Sequence, residues 1–178
     1  ENLISALIQD KHSSVRRAAI SSASHHKMQL SQETLESGLS SSDPSLRSLI
    51  ASLAVNSGGE ILEKACRDNN PKVRKSIADT LRSEVQEVDD RIEIIATVCP
   101  EIIVRWLRSR YDSKASSLRW SMIENTSLNP RIRSKLIEQM DGRLDVDKER
   151  LAVISTDDSI LVKMAANNLS TSIDELEE

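Results

Sequence analysis

Apolar residues recur along the chain at intervals of three and four, in sets separated by short polar turns. Val15, Ala18, Ala19 and Ser22 form one set, and Leu46, Leu49, Ile50 and Leu53 the next. Val73, Ser76, Ile77 and Thr80, with Leu81 beside them, form a third, and Ile132, Leu136, Ile137 and Met140 a later one. Such spacing places the side chains on one stripe of a helix. Each set therefore predicts an amphipathic helix. Shorter apolar segments lie between them, at 30–39, 61–66, 92–98, 118–123 and 151–154. These predict a second, shorter helix after each long one.

The turns before the long helices are self-similar, which points to a repeat. An Asp/Asn/Pro-rich turn is followed by an aliphatic residue, a basic residue and an Ala/Ile/Leu-rich run. The copies are 10–14 before Val15-Arg16, 43–45 before Leu46-Arg47, and 69–72 before Val73-Arg74. Further copies are 99–101 leading to Val104-Arg105, 129–131 before Ile132-Arg133, and 157–159 before Ile160 or Leu161. With the aliphatic positions at 15, 46, 73, 104, 132 and 160, the steps are 31, 27, 31, 28 and 28 residues. All four prolines (Pro44, Pro71, Pro100, Pro130) fall at one phase of this repeat, three of them after Asp or Asn. An Asp or Asn cap satisfies an orphan N–H of the first turn, and Pro at the first helical position has no N–H to lose. One two-helix unit cannot bury its stripe alone, whereas stacked units make a continuous core.

These residues resemble known repeat families. Asp-Pro-Ser-Leu-Arg (43–47) and Asn-Pro-Lys-Val-Arg (70–74) are similar to the inter-helix turn and second-helix start of HEAT repeats. Residues 119–125 followed by 128–136, and 162–168 followed by 172–176, resemble the leucine-rich repeat variant. The resemblance covers nearly the whole chain. It implies an all-α, right-handed alpha-alpha superhelix, an armadillo-like solenoid of about six degenerate repeats of 27–31 residues. It also implies a single domain spanning 1–178, serving as a protein- or nucleic-acid-binding scaffold. The chain departs from the family between 84 and 130, where the repeat is degenerate. It also lacks the cysteine group that would hold the iron–sulfur cluster found beside such repeats in one relative.

Composition agrees with thin, closely packed helices: Trp106, Trp120 and Tyr111 are the whole aromatic complement, there is no Phe, and Gly and Pro number four each. No apolar run is long enough to span a bilayer. The first residue is Glu, and the sequence is expected to be a piece of a longer, cytoplasmic protein. Cys66 and Cys99 stand far apart in apolar helical sequence, without metal-site spacing, and are expected to be buried thiols. The three histidines (His12, His25, His26) belong to the first repeat, and adjacent residues on a helix diverge by about 100°, a poor arrangement for chelation. No nucleophile elbow or phosphate loop occurs. No catalytic, metal or cofactor residues are assigned, and no enzyme activity is expected. Gly58-Gly59 reads as a helix end and turn. The recurring Arg16, Arg47, Arg74, Arg105 and Arg133 admit two readings, a structural ladder to turn carboxylates or a row of phosphate contacts.

One segment stands apart. Residues 104–120 read VRWLRSRYDSKASSLRW and hold every aromatic of the protein. Over 101–135 there are eight basic and three acidic residues, in a chain whose net charge is −4. The candidate partner-binding residues are Arg105, Trp106, Arg108, Arg110, Tyr111, Lys114, Arg119 and Trp120. Aromatic and Arg side chains dominate protein interface hot spots. Cations and flat rings also suit nucleic acid. Helical spacing allows Trp106 and Trp120 to be core instead. The expected function is protein–protein binding, with nucleic-acid binding through 104–120 as the alternative.

Overall fold

The computed structural model describes residues 2–143 and 146–177. Twelve helices and no strand occur among them. They are α1 (Asn2–Ile8), α2 (Ser13–His25), α3 (Gln32–Leu39), α4 (Pro44–Ser57), α5 (Gly59–Cys66) and α6 (Pro71–Glu84). There follow α7 (Asp90–Val98), α8 (Pro100–Leu107), α9 (Ser113–Glu124), α10 (Pro130–Glu138), α11 (Lys148–Ile154) and α12 (Ile160–Glu177). The short apolar segments at 61–66, 92–98, 118–123 and 151–154 lie in α5, α7, α9 and α11, and that at 30–39 begins two residues before α3. The expected order of a long helix followed by a shorter one fails at α8 and α9, where α9 has 12 residues and α8 has 8. None of the described helices is long and apolar enough to cross a membrane.

The helix starts follow from the turn residues. Asp43, Asn70 and Asn129 accept from the backbone N–H of Ser45, Lys72 and Arg131, and each is followed by Pro at the first helical position. Ser31, Asp89, Asp112 and Asp147 cap α3, α7, α9 and α11 in the same manner. Losing such a cap typically costs about 1 kcal/mol. Gly58, at φ 68°, turns α4 into α5 as its sequence position suggests.

The chain divides into two compact units, Glu1–Trp106 and Leu107–Glu178. In the first, α4 packs on α2, α3, α5 and α6, and α5 packs on α7. Long helices thus neighbour long helices, and short neighbour short. The core holds Leu46, Ile50, Val73, Ile77, Leu81 and Ile103 with no exposed surface. At Gly38 in α3 the backbone approaches Ile50 so closely that an added Cβ would lie 2.5 Å from Ile50 Cγ1. In the second unit α10 packs on α9 and α12, and α11 on α12, around Ile123, Leu136, Ile137 and Val162. Cys66 and Cys99 are free, buried thiols.

The last repeat start is two residues later than the sequence pattern suggests. Ile160 was the expected buried aliphatic position, but it is 71 % exposed and Leu161 is 49 % exposed, while Val162 is fully buried. Asp157 is the cause. It accepts the Ser159 N–H, as Asp68 accepts that of Asn70. Asp157 therefore stands two residues before the cap, in the place of Asp68. Ile160 takes the place of Pro71, and Val162 that of Val73. In α2 the buried stripe is Ala19, Ile20 and Ala23, rotated from the expected set, and Ala18 is exposed.

Candidate functional site

The recurring arginines are mostly structural. Arg16, Arg47 and Arg74 each donate through Nη1 to the backbone carbonyl six residues earlier, on Asp10, Ser41 and Asp68, at 2.8, 2.9 and 2.7 Å. One side chain thus ties the start of its helix to the preceding turn. Arg47 also reaches the next turn, where its Nε lies 2.6 Å from Asp68 Oδ2. Arg17, rather than Arg16, makes the corresponding pair with Asp43, at 3.2 Å. In the second unit Arg133 grips both carboxylate oxygens of Asp157, at 3.2 and 2.5 Å, while its Nε donates to the Ile123 carbonyl. Arg105 departs from the ladder: it is exposed, with no hydrogen bond or ion pair among the described residues.

These pairs set the electrostatics of the turns. Burial pushes the Asp68 carboxyl up, but hydrogen bonds from Arg47 and the Asn70 N–H, with the charges of Arg47 and Arg74, hold it below its ordinary value. The Arg133 hydrogen bond outweighs burial and lowers Asp157. The Ser45 N–H is the largest cause lowering Asp43. Burial raises both the Cys66 and Cys99 thiols to about 12, so neither is a thiolate near neutrality. Among the described residues no group of three or more His, Cys, Asp or Glu side chains is placed to hold a metal.

Of the eight residues expected to meet a partner, three are buried. Arg119, Trp106 and Trp120 are core, with 1, 2 and 4 % of their surface exposed. Trp106 donates through Nε1 to the Val85 carbonyl at 2.9 Å, and Arg119 through Nη2 to Leu107 and Arg110 carbonyls at 2.8 and 3.1 Å. Helical spacing put them inside, overriding their hot-spot chemistry. Arg105 and Trp106 belong to the first unit, and Arg108, Arg110, Tyr111, Lys114, Arg119 and Trp120 to the second. Arg110 is half-buried, while Arg108 and Lys114 are exposed. Tyr111 is exposed, and the Arg143 guanidinium lies 4.5 Å from its ring centre. Asp112 caps α9 through the Ala115 N–H.

A different surface carries exposed apolar side chains. Val153 near the end of α11, with Ile160, Leu161 and Met164 at the start of α12, are four of the six large exposed apolar residues described. Leu161 and Met164 border a groove of about 340 Å³ between α10 and α12. Glu138 and Asp141 supply its α10 side, and Asn168 and Ser172 continue its α12 side. The sequence alone does not mark this surface. Ile160, Leu161 and Met164 fill places where the copy at α4 has Pro44, Ser45 and Ser48, but the copy at α8 has Ile102, Ile103 and Trp106 there, all buried.

Comparison with protein-family models, curated proteins and solved structures finds no significant match to the chain.

Proposed function

We propose that the chain is a helical-repeat scaffold of the HEAT/leucine-rich-repeat-variant kind, a right-handed superhelix that binds another protein and catalyses no reaction. Support for the architecture comes from the recurrence of the Asp/Asn-Pro helix start, the arginine that reaches six residues back, and the packing of α2 on α4, α4 on α6 and α10 on α12. Support for protein binding rests on one observation: four of the six large exposed apolar side chains lie within twelve residues, 153–164, on two helices that pack together. Scattered apolar residues are ordinary on a surface, but exposed ones that border one groove, as Leu161 and Met164 do, mark a candidate interaction site.

The test is a photo-crosslinking residue placed at Met164 and, separately, at the exposed Glu33, in cells of the source organism. Discrete protein adducts at 164 and none at 33 support the reading. Equal adducts at both positions, or none at 164, overturn it.

A second reading, nucleic-acid binding, is favoured by exposed Arg108 and Lys114, which have no ion-pair partner among the described residues, near exposed Tyr111 in sequence. Cation–phosphate binding weakens steeply with salt. Anisotropy of labelled single- and double-stranded oligonucleotides at two salt concentrations, with Arg108→Glu/Lys114→Glu as comparison, decides it. Binding that falls with salt and in the variant supports this reading, and no binding at low salt removes it.

A further inference from the structure

We infer that the groove between α10 and α12 receives an amphipathic helical segment of a partner protein, with Leu or similar apolar residues on one face and Lys or Arg flanking them. The inference rests on the protein-binding reading and adds the chemistry of the occupant.

The groove has an apolar floor and an acidic edge. Leu161 and Met164 are exposed along it, with Ala165 and Leu169 beneath. Methionine is unbranched and polarizable, and it adapts to the side chain laid against it. Glu138 has no hydrogen bond or ion pair among the described residues, although it lies beside this apolar surface. Asp141 accepts the Ser172 hydroxyl through Oδ1 at 2.7 Å, and no described donor meets its Oδ2. No Lys or Arg is among the residues lining the groove. Two carboxylates without cations, beside exposed Leu and Met, complement an apolar stripe flanked by cations. An acidic segment would meet like charge here, which costs affinity and rejects wrong partners.

Geometry selects a helix over an extended peptide. An extended segment that pairs its backbone needs the open edge of a sheet, and no strand exists among the described residues. Two packed helices instead offer a furrow between rows of side chains, where another helix can lay its ridge. The wall runs from Leu161 to Ser172 on α12, roughly 17 Å at 1.5 Å per residue. That matches three turns, with anchors at i, i+3 or i+4, and i+7.

The experiment uses the full chain and two fluorescein-labelled 14-residue probes of Leu, Ala and Lys. One carries the Leu residues at i, i+3, i+4, i+7 and i+11; the other has Ser in their place with the same charge. A third probe replaces every Lys by Glu. Anisotropy titrations give affinity, and ¹H–¹⁵N chemical shifts locate the contact. The inference expects the Leu/Lys probe to bind at least tenfold more tightly than either other probe, with shifts centred on residues 138–141 and 161–172. Leu161→Ser/Met164→Ser is expected to weaken it about tenfold, and Glu138→Lys to narrow its advantage over the Leu/Glu probe by a similar factor. Equal binding of the Leu/Lys and Ser/Lys probes overturns the inference, as do shifts elsewhere, an unaffected Leu161→Ser/Met164→Ser variant, or preference for the acidic probe. Crosslinks at 164 together with any of these failures leave the scaffold reading standing and reject the basic-helix occupant alone. Absence of crosslinks at 164 removes both.

Discussion

Arg133 and Asp157 form the most completely buried ion pair described, with 3 and 9 % of their side-chain surfaces exposed. Asp157→Asn keeps the shape and one acceptor oxygen but puts an NH2 donor against a guanidinium that already donates. The Ile123 carbonyl at 2.6 Å holds Nε and cannot neutralise the charge. Removing one partner of a buried pair typically costs about 3–5 kcal/mol, because the remaining charge stays desolvated. A unit of about 70 residues has a urea slope of roughly 1.5 kcal/mol/M, so a loss of about 3 kcal/mol lowers the midpoint by about 2 M. The control is Glu63→Gln. Its pair with Arg67 is 44 and 67 % exposed, and such surface pairs contribute roughly 0–1 kcal/mol. Urea unfolding followed by far-ultraviolet circular dichroism reads both units, the one that holds the pair and the one that holds the control. Packing Arg133→Met against Asp157→Leu should recover most of the loss, since desolvation is then relieved on both sides. If Asp157→Asn shifts the midpoint no more than Glu63→Gln does, the ladder is not a stabilising element and the argument from burial fails.

Acid should weaken the fold in a defined window. Asp43, Asp68 and Asp157 all titrate below the ordinary 3.8, so their contribution is complete above that value and is lost as pH falls through their lower folded pKa values. Urea midpoints measured from pH 7 to 2 should fall below about pH 4, and Asp68→Asn/Asp157→Asn should flatten that fall. Gly38→Ala should cost about 1–3 kcal/mol by overpacking the fully buried Ile50; an unchanged melting curve would show that α3 and α4 can part freely. Trp106→Ala should cost about 3–5 kcal/mol while Arg108→Ala/Lys114→Ala stays within about 0.5, and comparable losses in both would mean the segment is not divided into core and surface. Thiol titration with Ellman's reagent should find Cys66 and Cys99 unreactive at neutral pH until denaturant is added; prompt reaction in the folded state would contradict their burial.

Local chemistry made the helices readable. Asp43-Pro44, Asn70-Pro71 and Asn129-Pro130 carry both a cap acceptor and a residue that tolerates the first turn, so each start is fixed by a few neighbouring atoms. Where that pair is missing, the reading slipped. The last start has Asp157-Asp158-Ser159 and no proline, so the aspartates do not fix the cap, and Ser159 occupies that place. A slip of two residues rotates a helix by about 200°, enough to exchange its buried and exposed faces. Ile160 and Val162 show that exchange directly.

The candidate site was less legible for a related reason. Periodicity reports which side chains share a stripe, but not whether another element covers that stripe. Residues 104–120 attracted notice through composition, yet Trp106 and Trp120 satisfy core spacing, and Arg119 folds inward because two backbone carbonyls await it. None of those carbonyls leaves a mark in the local pattern, since the partners lie nine and twelve residues away. Met164 and Leu161 present the converse: apolar residues at helical spacing read as core, although they lie open beside two carboxylates. Comparison of the copies does not separate the two cases. The place of Met164 holds Ser48 and Ser134, but also Arg17, Lys75 and the buried Trp106, so the residue there varies from copy to copy. An apolar side chain at that place is core where another element covers it and open surface where none does, and that difference lies in the packing rather than in the repeat.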